Sequence, residues 1–281
     1  DLDDDGVVDF ADYALMAGQW GRWYGYAMGR GEVTVDGDLA EWSDAVWVSL
    51  DEVYHLDPND VSGAEIALCW DGETDKVYAA VVVGDSNHVF TDSYESWDAG
   101  DRIEVFSDGD ISDGGGSYGA GTQGLYASAQ QYMVGADSGG GCWAAWGDGE
   151  AVEGEAGLEY AVRVDGDKLI YEVGVKMFES YGGVEGQESV AAGLVENMIV
   201  GFDLVVDTRW GDKVAVSDRF GMLSENLMSG KHKDSAKFAR YVLVDGLGGG
   251  SKGPLKADFD KNTVVNAADL AVFVKQWLSK P

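Results

Sequence analysis

Short runs of strand-forming residues, separated by Gly and Asp-Gly turn signals, recur through residues 33–246. In chain order they are EVTVDG, AEIALCWDG, KVYAAVVVGD, DRIEVFSDG, LYASAQQYMVG, LEYAVRVDGDKLIYEVGVKM, MIVGFDLVVDTRW and FARYVLVDG. Many short strands without long helices between them predict a mainly β fold, an antiparallel, jelly-roll-like β-sandwich. The stretch 158–177 predicts a hairpin with Asp165-Gly166 at its turn, because these residues tolerate positive φ angles.

The charge of the chain excludes some classes of partner. The net charge is -32 and the pI is about 4.1, so phosphate backbones and anionic lipid surfaces are repelled and metal cations are attracted. We therefore expect no nucleic-acid partner. The most apolar run, VYAAVVV at 77–83, is far too short to span a bilayer, so we expect no membrane insertion.

The first twelve residues have the ligand spacing of an EF-hand calcium loop. Oxygen ligands are expected at loop positions 1, 3, 5, 7, 9 and 12, with Gly at the sharp turn, because the chain must wrap around a hard cation. Gly6 occupies the turn position. The predicted ligands are Asp1, Asp3, Asp5, Val7, Asp9 and Asp12, with Val7 contributing its backbone carbonyl.

A second copy of this segment lies at the other end of the chain. DLDDDGVVDFADYALMAGQW, residues 1–20, and DFDKNTVVNAADLAVFVKQW, residues 258–277, match at 9 of 20 positions without a gap. Thr263 replaces the turn Gly, and two ligands are Asn, so we expect weaker binding there. The predicted ligands are Asp258, Asp260, Asn262, Val264, Asn266 and Asp269.

Each loop has Asp at position twelve and leads into one helical segment that ends in Trp, which resembles the type I dockerin repeat. The resemblance implies two calcium sites. The two repeats are separated by residues 21–257, whereas dockerin repeats follow one another closely. The dipeptides Phe10-Ala11 and Ala267-Ala268, at positions that help dockerins recognise cohesin, are apolar. This departure argues against cohesin binding and favours packing of one half against the other.

Apolar side chains recur at helical spacing after both loops and predict a contact between the halves. The contact residues are Tyr13, Met16, Trp20, Leu270, Phe273 and Trp277. Pairing within one chain makes a clasp, whereas pairing between chains is heterologous and builds a filament by self-association. The predicted organisation is a calcium loop and helix at 1–20, a linker at 21–32, a sandwich at 33–245, a Gly-rich linker at 246–257 and the second calcium loop and helix at 258–281.

The strings VDGDLAEWSDAVWVSL, ALCWDGETDKVYAAVVVGD, WDAGDRIEVF and VGFDLVVDTRWGD, in this order, resemble the family 9 carbohydrate-binding modules. The resemblance implies a non-catalytic β-sandwich that binds a glycan, with aromatic side chains stacking on sugar rings. The candidate stacking residues are Trp97, Trp143, Trp146 and Trp210. For each of them, packing in the core or anchoring of a loop is the competing interpretation. Trp42 and Trp70 lie inside the fold-defining strings and are expected in the core.

The sequence does not indicate an enzyme. His55, His88 and His232 are the only histidines, none forms a zinc-spaced pair, and neither a GxSxG elbow nor a P-loop is present. A glycosidase carboxylate pair stays open, because the sequence does not give the distance between two carboxyl groups.

The loop 107–124 carries Asp108, Asp110 and Asp113, which offer a third calcium site or part of a sugar site, or form a solvated loop.

Calcium loops this acidic suit an exterior where calcium is about millimolar, so we expect an extracellular, secreted or surface location. Because the sequence begins on a calcium ligand, we expect that earlier residues, including any export signal, are missing from it.

Cys69 and Cys142 permit one disulfide in an extracellular compartment. Cys69 lies in the apolar strand IALCW, which favours a buried thiol.

Overall fold

The computed structural model describes residues 26–50, 52–55, 61–90, 100–111, 129–146, 157–181, 188–209, 220–224 and 234–244. The strands are β1 Tyr26–Arg30, β2 Val48–Ser49, β3 Glu52–His55, β4 Val61–Asp71, β5 Lys76–Asp85, β6 Arg102–Asp108, β7 Ala129–Ala136, β8 Cys142–Trp146, β9 Leu158–Asp165, β10 Lys168–Lys176, β11 Phe178–Ser180, β12 Val190–Ala191, β13 Ile199–Arg209, β14 Phe220–Ser224 and β15 Arg240–Val244. Two short 3-10 helices span Ala40–Trp42 and Ser235–Lys237. In these ranges no helix has the length and apolarity to cross a bilayer. Both predicted terminal loop-helix segments lie outside them.

The main sheet runs in the order β8-β7-β6-β13-β15-β1-β4-β5-β10-β9 and folds over onto itself. One apolar cluster contains buried side chains from both halves of this order, and β9 approaches β7 and β8, so the two ends of the sheet come together. Strands β2, β3 and β14 add to this sheet at its sides, and β11 and β12 form a separate pair. The predicted mainly β sandwich is thereby confirmed.

Alternation along the strands selects which side chains enter the core, because successive residues point to opposite faces of a sheet. In β6, Ile103 and Val105 are fully buried in the main cluster, and β13 contributes Phe202 and Leu204 in the same way. The opposite half of the cluster contains Ile66, Leu68, Trp70, Val77, Ala79, Val81, Val83, Leu169, Tyr171, Val173 and Val175. Trp70, 3% exposed, confirms the core position expected from sequence.

Strand β1 lies within residues 21–32, which the sequence pattern indicated as a linker. It pairs in parallel with β15 on one side and with β4 on the other, and Met28 is fully buried. The linker prediction is therefore wrong from Tyr26 onward, and the sandwich is not purely antiparallel. The glycine content of this segment indicated a linker. The strand gave no opposing signal, because parallel strands are buried on both faces and do not alternate between polar and apolar residues.

The run EVTVDG forms no strand, although its composition predicted one. Val33 and Val35 still pack against a second apolar cluster on the outside of β4 and β5, which includes the buried Trp42. The backbone N–H groups of Asp36 and Gly37 both donate to Glu172 Oε2 at 2.9 Å instead of joining a strand ladder. The carboxylate of Glu172 therefore accepts the backbone hydrogen bonds that a neighbouring strand would otherwise accept.

The hairpin predicted at 158–177 is present as β9 and β10, with a turn one residue later than expected. Asp165 pairs directly with Lys168, so the two turn residues are Gly166 and Asp167. Gly166 has a φ of 61°, whereas Asp167 is not among the residues with positive φ. A glycine at the first central position is the pattern of a type II′ turn, which suits the twist of a two-residue hairpin.

Candidate functional site

Strand β6 carries polar side chains on the face that is turned away from the core. Arg102 and Glu104 alternate with the core residues Ile103 and Val105, so both polar side chains lie on the outer face. Gln131 on β7 and Asp207 on β13 belong to the same face by register. We call this face of β6, β7, β8 and β13 the outer polar face.

Strand pairing brings residues from four strands into two adjacent rows on this face. The first row is Trp143, Gly135, Arg102 and Asp207, taken from β8, β7, β6 and β13. The second row is Ala145, Met133, Glu104 and Val205. A cation, two carboxylates and an indole therefore meet on one surface, although the sequence distributes them over residues 102–207.

The polar groups of the face form a connected network. Arg102 Nη2 lies 2.6 Å from Asp207 Oδ2 and donates to Glu104 Oε1 at 3.0 Å. Gln131 Nε2 donates to Glu104 Oε2 at 3.2 Å. Arg102 and Asp207 are almost fully buried, whereas the Glu104 side chain is 16% exposed and Gln131 is half-buried. Asp207 holds the guanidinium of Arg102 in place. Solvent reaches the network at Glu104 and Gln131.

Trp143 is 8% exposed and packs against Met133 and Ala145. Its ring covers Gly135, since a Cβ at Gly135 would lie 2.5 Å from the indole Cζ2. The turn between β7 and β8 holds this register, because Asp137 Oδ1 accepts hydrogen bonds from the N–H groups of Gly139 at 2.8 Å and Gly141 at 2.9 Å. Within the described part of the chain, Trp143 Nε1 is buried without a hydrogen-bond partner.

The four candidate stacking residues therefore have different outcomes. Trp143 lies in the first row of the outer polar face, but it is packed there and not displayed on an open loop. Trp146 is the last residue of β8, while Trp97 and Trp210 lie outside the described residues. The same holds for the predicted calcium ligands and for the packing residues of both ends.

The acidic loop after β6 is described only at its start. Asp108 is 1% exposed, and its Oδ1 accepts a hydrogen bond from the Asp110 N–H at 3.2 Å. This bond caps the end of β6, as a short polar side chain does at many turns. Asp113 lies outside the described residues, so the third calcium site stays a prediction.

Both cysteines are free thiols in this structure. Cys69 is 3% exposed, and burial, followed by the charges of Asp71 and Glu172, raises its pKa to about 12. Burial also raises the pKa of Cys142, which is half-buried next to Trp143. The buried thiol expected for Cys69 is confirmed.

Comparison with known proteins identifies the fold. No protein-family model and no curated protein sequence matches this chain. Among solved structures, a family 9 carbohydrate-binding module from Caldicellulosiruptor kristjanssonii in complex with cellotriose superimposes with a TM-score of 0.56 at 14% identity. The alignment covers 78% of this chain and 93% of that one.

The fold is that of a family 9 carbohydrate-binding module. A family 9 carbohydrate-binding module from the same organism in complex with glucose superimposes with a TM-score of 0.54 at 14% identity, over 78% of this chain and 95% of that one. These similarities confirm the sandwich architecture expected from the quoted strings. The choice of functional residues depends on the geometry of this chain.

Sequence reasoning did not identify Arg102, Glu104, Gln131 or Asp207 as site residues. One usable signal was present, since two charged residues alternate with two apolar ones in DRIEVFSD and must share the face opposite the core. Nothing local to β6 indicates that Asp207 and Trp143 join the same row. That information lies in the strand order.

Proposed function

We propose that this protein binds a neutral or basic glycan on the outer polar face and does not hydrolyse it. The observation that carries the proposal is the first row, in which Trp143, Gly135, Arg102 and Asp207 lie side by side. Glu104 lies in the second row, and Gln131, which pairs with Phe106, lies in the row beyond it. Planar polar groups next to an indole are the combination that sugar rings require.

Each group has a defined capacity toward a sugar. The Glu104 carboxylate accepts hydrogen bonds from hydroxyls, and the Gln131 amide both donates and accepts. The Arg102 guanidinium and the indole N–H of Trp143 are buried, so Arg102 positions Glu104 and does not itself reach a sugar. Sugar hydroxyls act as donors and acceptors together, so a mixed set of this kind matches them.

The same network favours binding over hydrolysis. A glycosidase needs one carboxyl group that delivers a proton and a second that attacks or activates water. Here the guanidinium of Arg102 contacts both Glu104 and Asp207, and Asp207 is fully buried. A cation held between two carboxylates suits fixed hydrogen-bond acceptors better than a proton donor.

Two further observations support a glycan of limited charge. The two structural neighbours carry cellotriose and glucose, both uncharged sugars. The net charge of -32 repels polyanionic glycans at long range. We therefore place uncharged β-glucan fragments first among the candidates and polyanions last.

Calorimetry with cellotriose and glucose, followed by a glycan array, tests the proposal. Glu104→Ala and Gln131→Ala remove partly exposed groups without opening the buried pair, so folding should persist. We expect each to weaken sugar binding by about 10- to 100-fold, the loss typical of a hydrogen bond to a charged or fixed polar group. Glu65→Ala, an exposed position on β4, is the matched control and should bind like the wild type. If the wild type binds no glycan, the resemblance concerns the scaffold alone.

We further propose that the terminal loops 1–12 and 258–269 bind calcium and that the protein works outside the cell. The support is the repeated ligand spacing, at which loop positions 1, 3 and 12 are Asp in both copies. An extracellular setting follows from the calcium concentration that such loops need. Pairing of the two halves, within a chain or between chains, belongs to the same proposal.

A further inference from the structure

Three side chains that could ligate a metal converge where β5 ends and β6 begins. Asp85 ends β5, His88 lies in the turn after it, and Asp101 immediately precedes β6. One ligand atom from each lies within 4.8 Å of the other two. This is the one such group found in the described ranges.

The two carboxylates are deeply buried. Asp85 is 1% and Asp101 is 2% exposed, and Asp85 Oδ2 has no hydrogen-bond partner among the residues described. Two buried carboxyl groups side by side require either a cation or protonation.

In its neutral form, the histidine presents a lone pair at Nδ1. His88 Nε2 lies 3.0 Å from the carbonyl oxygen of Gly166, and a carbonyl only accepts, so Nε2 carries the hydrogen of this bond. In the neutral ring, Nδ1 is then unprotonated, and this buried atom has no hydrogen-bond partner within the described ranges. Metal-binding histidines are commonly oriented by such a bond from the other ring nitrogen to a backbone carbonyl.

Backbone hydrogen bonds hold Asp85 and Asp101 in place. The Asn87 N–H donates to Asp85 Oδ1 at 2.8 Å, and the Asp85 N–H donates to the Asp167 carbonyl at 2.9 Å. Asp101 and Val89 form a reciprocal pair, in which the Asp101 N–H donates to the Val89 carbonyl and the Val89 N–H donates to Asp101 Oδ2. The hairpin turn at Gly166 and Asp167 therefore supports the cluster from a different part of the chain.

We infer that Asp85, His88 and Asp101 bind one divalent transition-metal ion, with Zn2+ as the best-matched example. An imidazole nitrogen with two carboxylates suits zinc and its first-row neighbours, whereas calcium takes oxygen ligands alone. Ligand distances of about 2 Å can be reached by small side-chain rotations from the present spacing. Three protein ligands leave a coordination position open to water. The three ligands are different residues from those proposed for the glycan site and from those of the terminal calcium loops.

Zinc titration of the full chain in calcium-containing buffer tests the inference, since calcium keeps the terminal loops occupied. Calorimetry should show one tight zinc equivalent in the wild type that is lost in His88→Gln and in Asp101→Asn. His55→Gln, which changes the other histidine of the described ranges, should retain it. Circular dichroism of each variant establishes that it folds.

A second measurement uses the wild-type protein, so the test does not depend on the folding of a variant. In nitrogen NMR of histidine-labelled protein, zinc should move the Nδ1 resonance of His88 and leave its Nε2 protonated. The inference is overturned if that resonance does not move, or if His88→Gln and the wild type bind the same number of zinc equivalents. Equal loss in His55→Gln would assign the zinc to other histidines and would also overturn it.

Discussion

Trp42 donates its indole N–H to Glu172 Oε1 at 2.7 Å, although 130 residues separate the two in sequence. The other carboxylate oxygen accepts the N–H groups of Asp36 and Gly37, so one buried side chain fastens the segment before the first 3-10 helix to β10. Trp42 is 2% exposed, as the sequence predicted for a core residue.

Glu172→Gln should destabilise the fold by about 1–3 kcal/mol, because the amide nitrogen of Gln cannot accept a hydrogen bond and leaves at least one buried donor unsatisfied. Urea unfolding followed by circular dichroism measures the change. Glu41→Gln, at an exposed site, is the control and should differ from the wild type by less than about 0.5 kcal/mol. Equal stability of both variants would contradict the role assigned to Glu172.

Gly135→Ala should displace the Trp143 ring, since the new Cβ would lie 2.5 Å from it. We expect a loss of about 1–3 kcal/mol in the free energy of unfolding, as for other overpacked sites. Sugar affinity should fall as well if Trp143 belongs to the glycan site. Gly139→Ala, where the nearest atom is the end of the Asp137 side chain at 3.2 Å, is the matched control. A stable variant with full sugar affinity would argue against the first row as a binding surface.

The two thiols should react in sequence. At pH 8 in the folded protein, Cys142 should react slowly with a thiol reagent, because burial raises its pKa and lowers the thiolate fraction. Cys69, with a pKa of about 12, should stay unreactive until the chain unfolds. Titration with a thiol reagent, with and without denaturant, measures how many thiols react in the unfolded and in the folded protein. Cys142→Ser should abolish the reaction of the folded protein. No free thiol in the denatured, unreduced protein would show a disulfide instead.

Calcium should stabilise the protein through the terminal loops. A ligand at one hundred times its dissociation constant contributes about 2.7 kcal/mol, so removal of calcium with EGTA should lower the melting temperature by about 5–10 °C. Asp1→Ala combined with Asp12→Ala should reduce that difference, whereas Asp38→Ala, an exposed carboxylate outside both loops, should not. A melting temperature that is the same with and without EGTA would refute calcium binding.

The two terminal helical segments should crosslink when cysteines replace Met16 and Phe273 in a Cys142→Ser background. Burial of the six apolar side chains predicted for the contact favours association of the halves by several kcal/mol, at about 25 cal/mol per Å². Monomer-sized products on a denaturing gel would support a clasp within one chain. Ladders of multimers would support a filament. The single variant Met16→Cys controls for random collision, and the absence of crosslinks beyond that control would show that the halves do not meet.

The local sequence pattern was sufficient to predict most strands. Strands β4 to β7, β9, β10, β13 and β15 each contain one of the quoted runs or overlap it, and core residues such as Ile103 and Val105 follow from alternation. Pattern failed at β1, whose glycines and parallel neighbours give no alternation, and at EVTVDG, where Glu172 replaces a partner strand. The hairpin turn was displaced by one residue, since Asp-Gly composition does not specify which pair occupies the turn.

The sequence by itself determined the mainly β class, the polar and apolar faces of individual strands, and an acidic charge that repels polyanions. It also contains the repeated ligand spacing that predicts calcium sites at the two ends. Tertiary structure alone decided that Arg102 contacts Asp207 and shares a row with Trp143, and that Asp85 and Asp101 lie next to a histidine which no spacing rule had selected. The physical reason is that strand order and register are set by packing over the whole sandwich. Side chains separated by tens of residues meet only after that packing is complete.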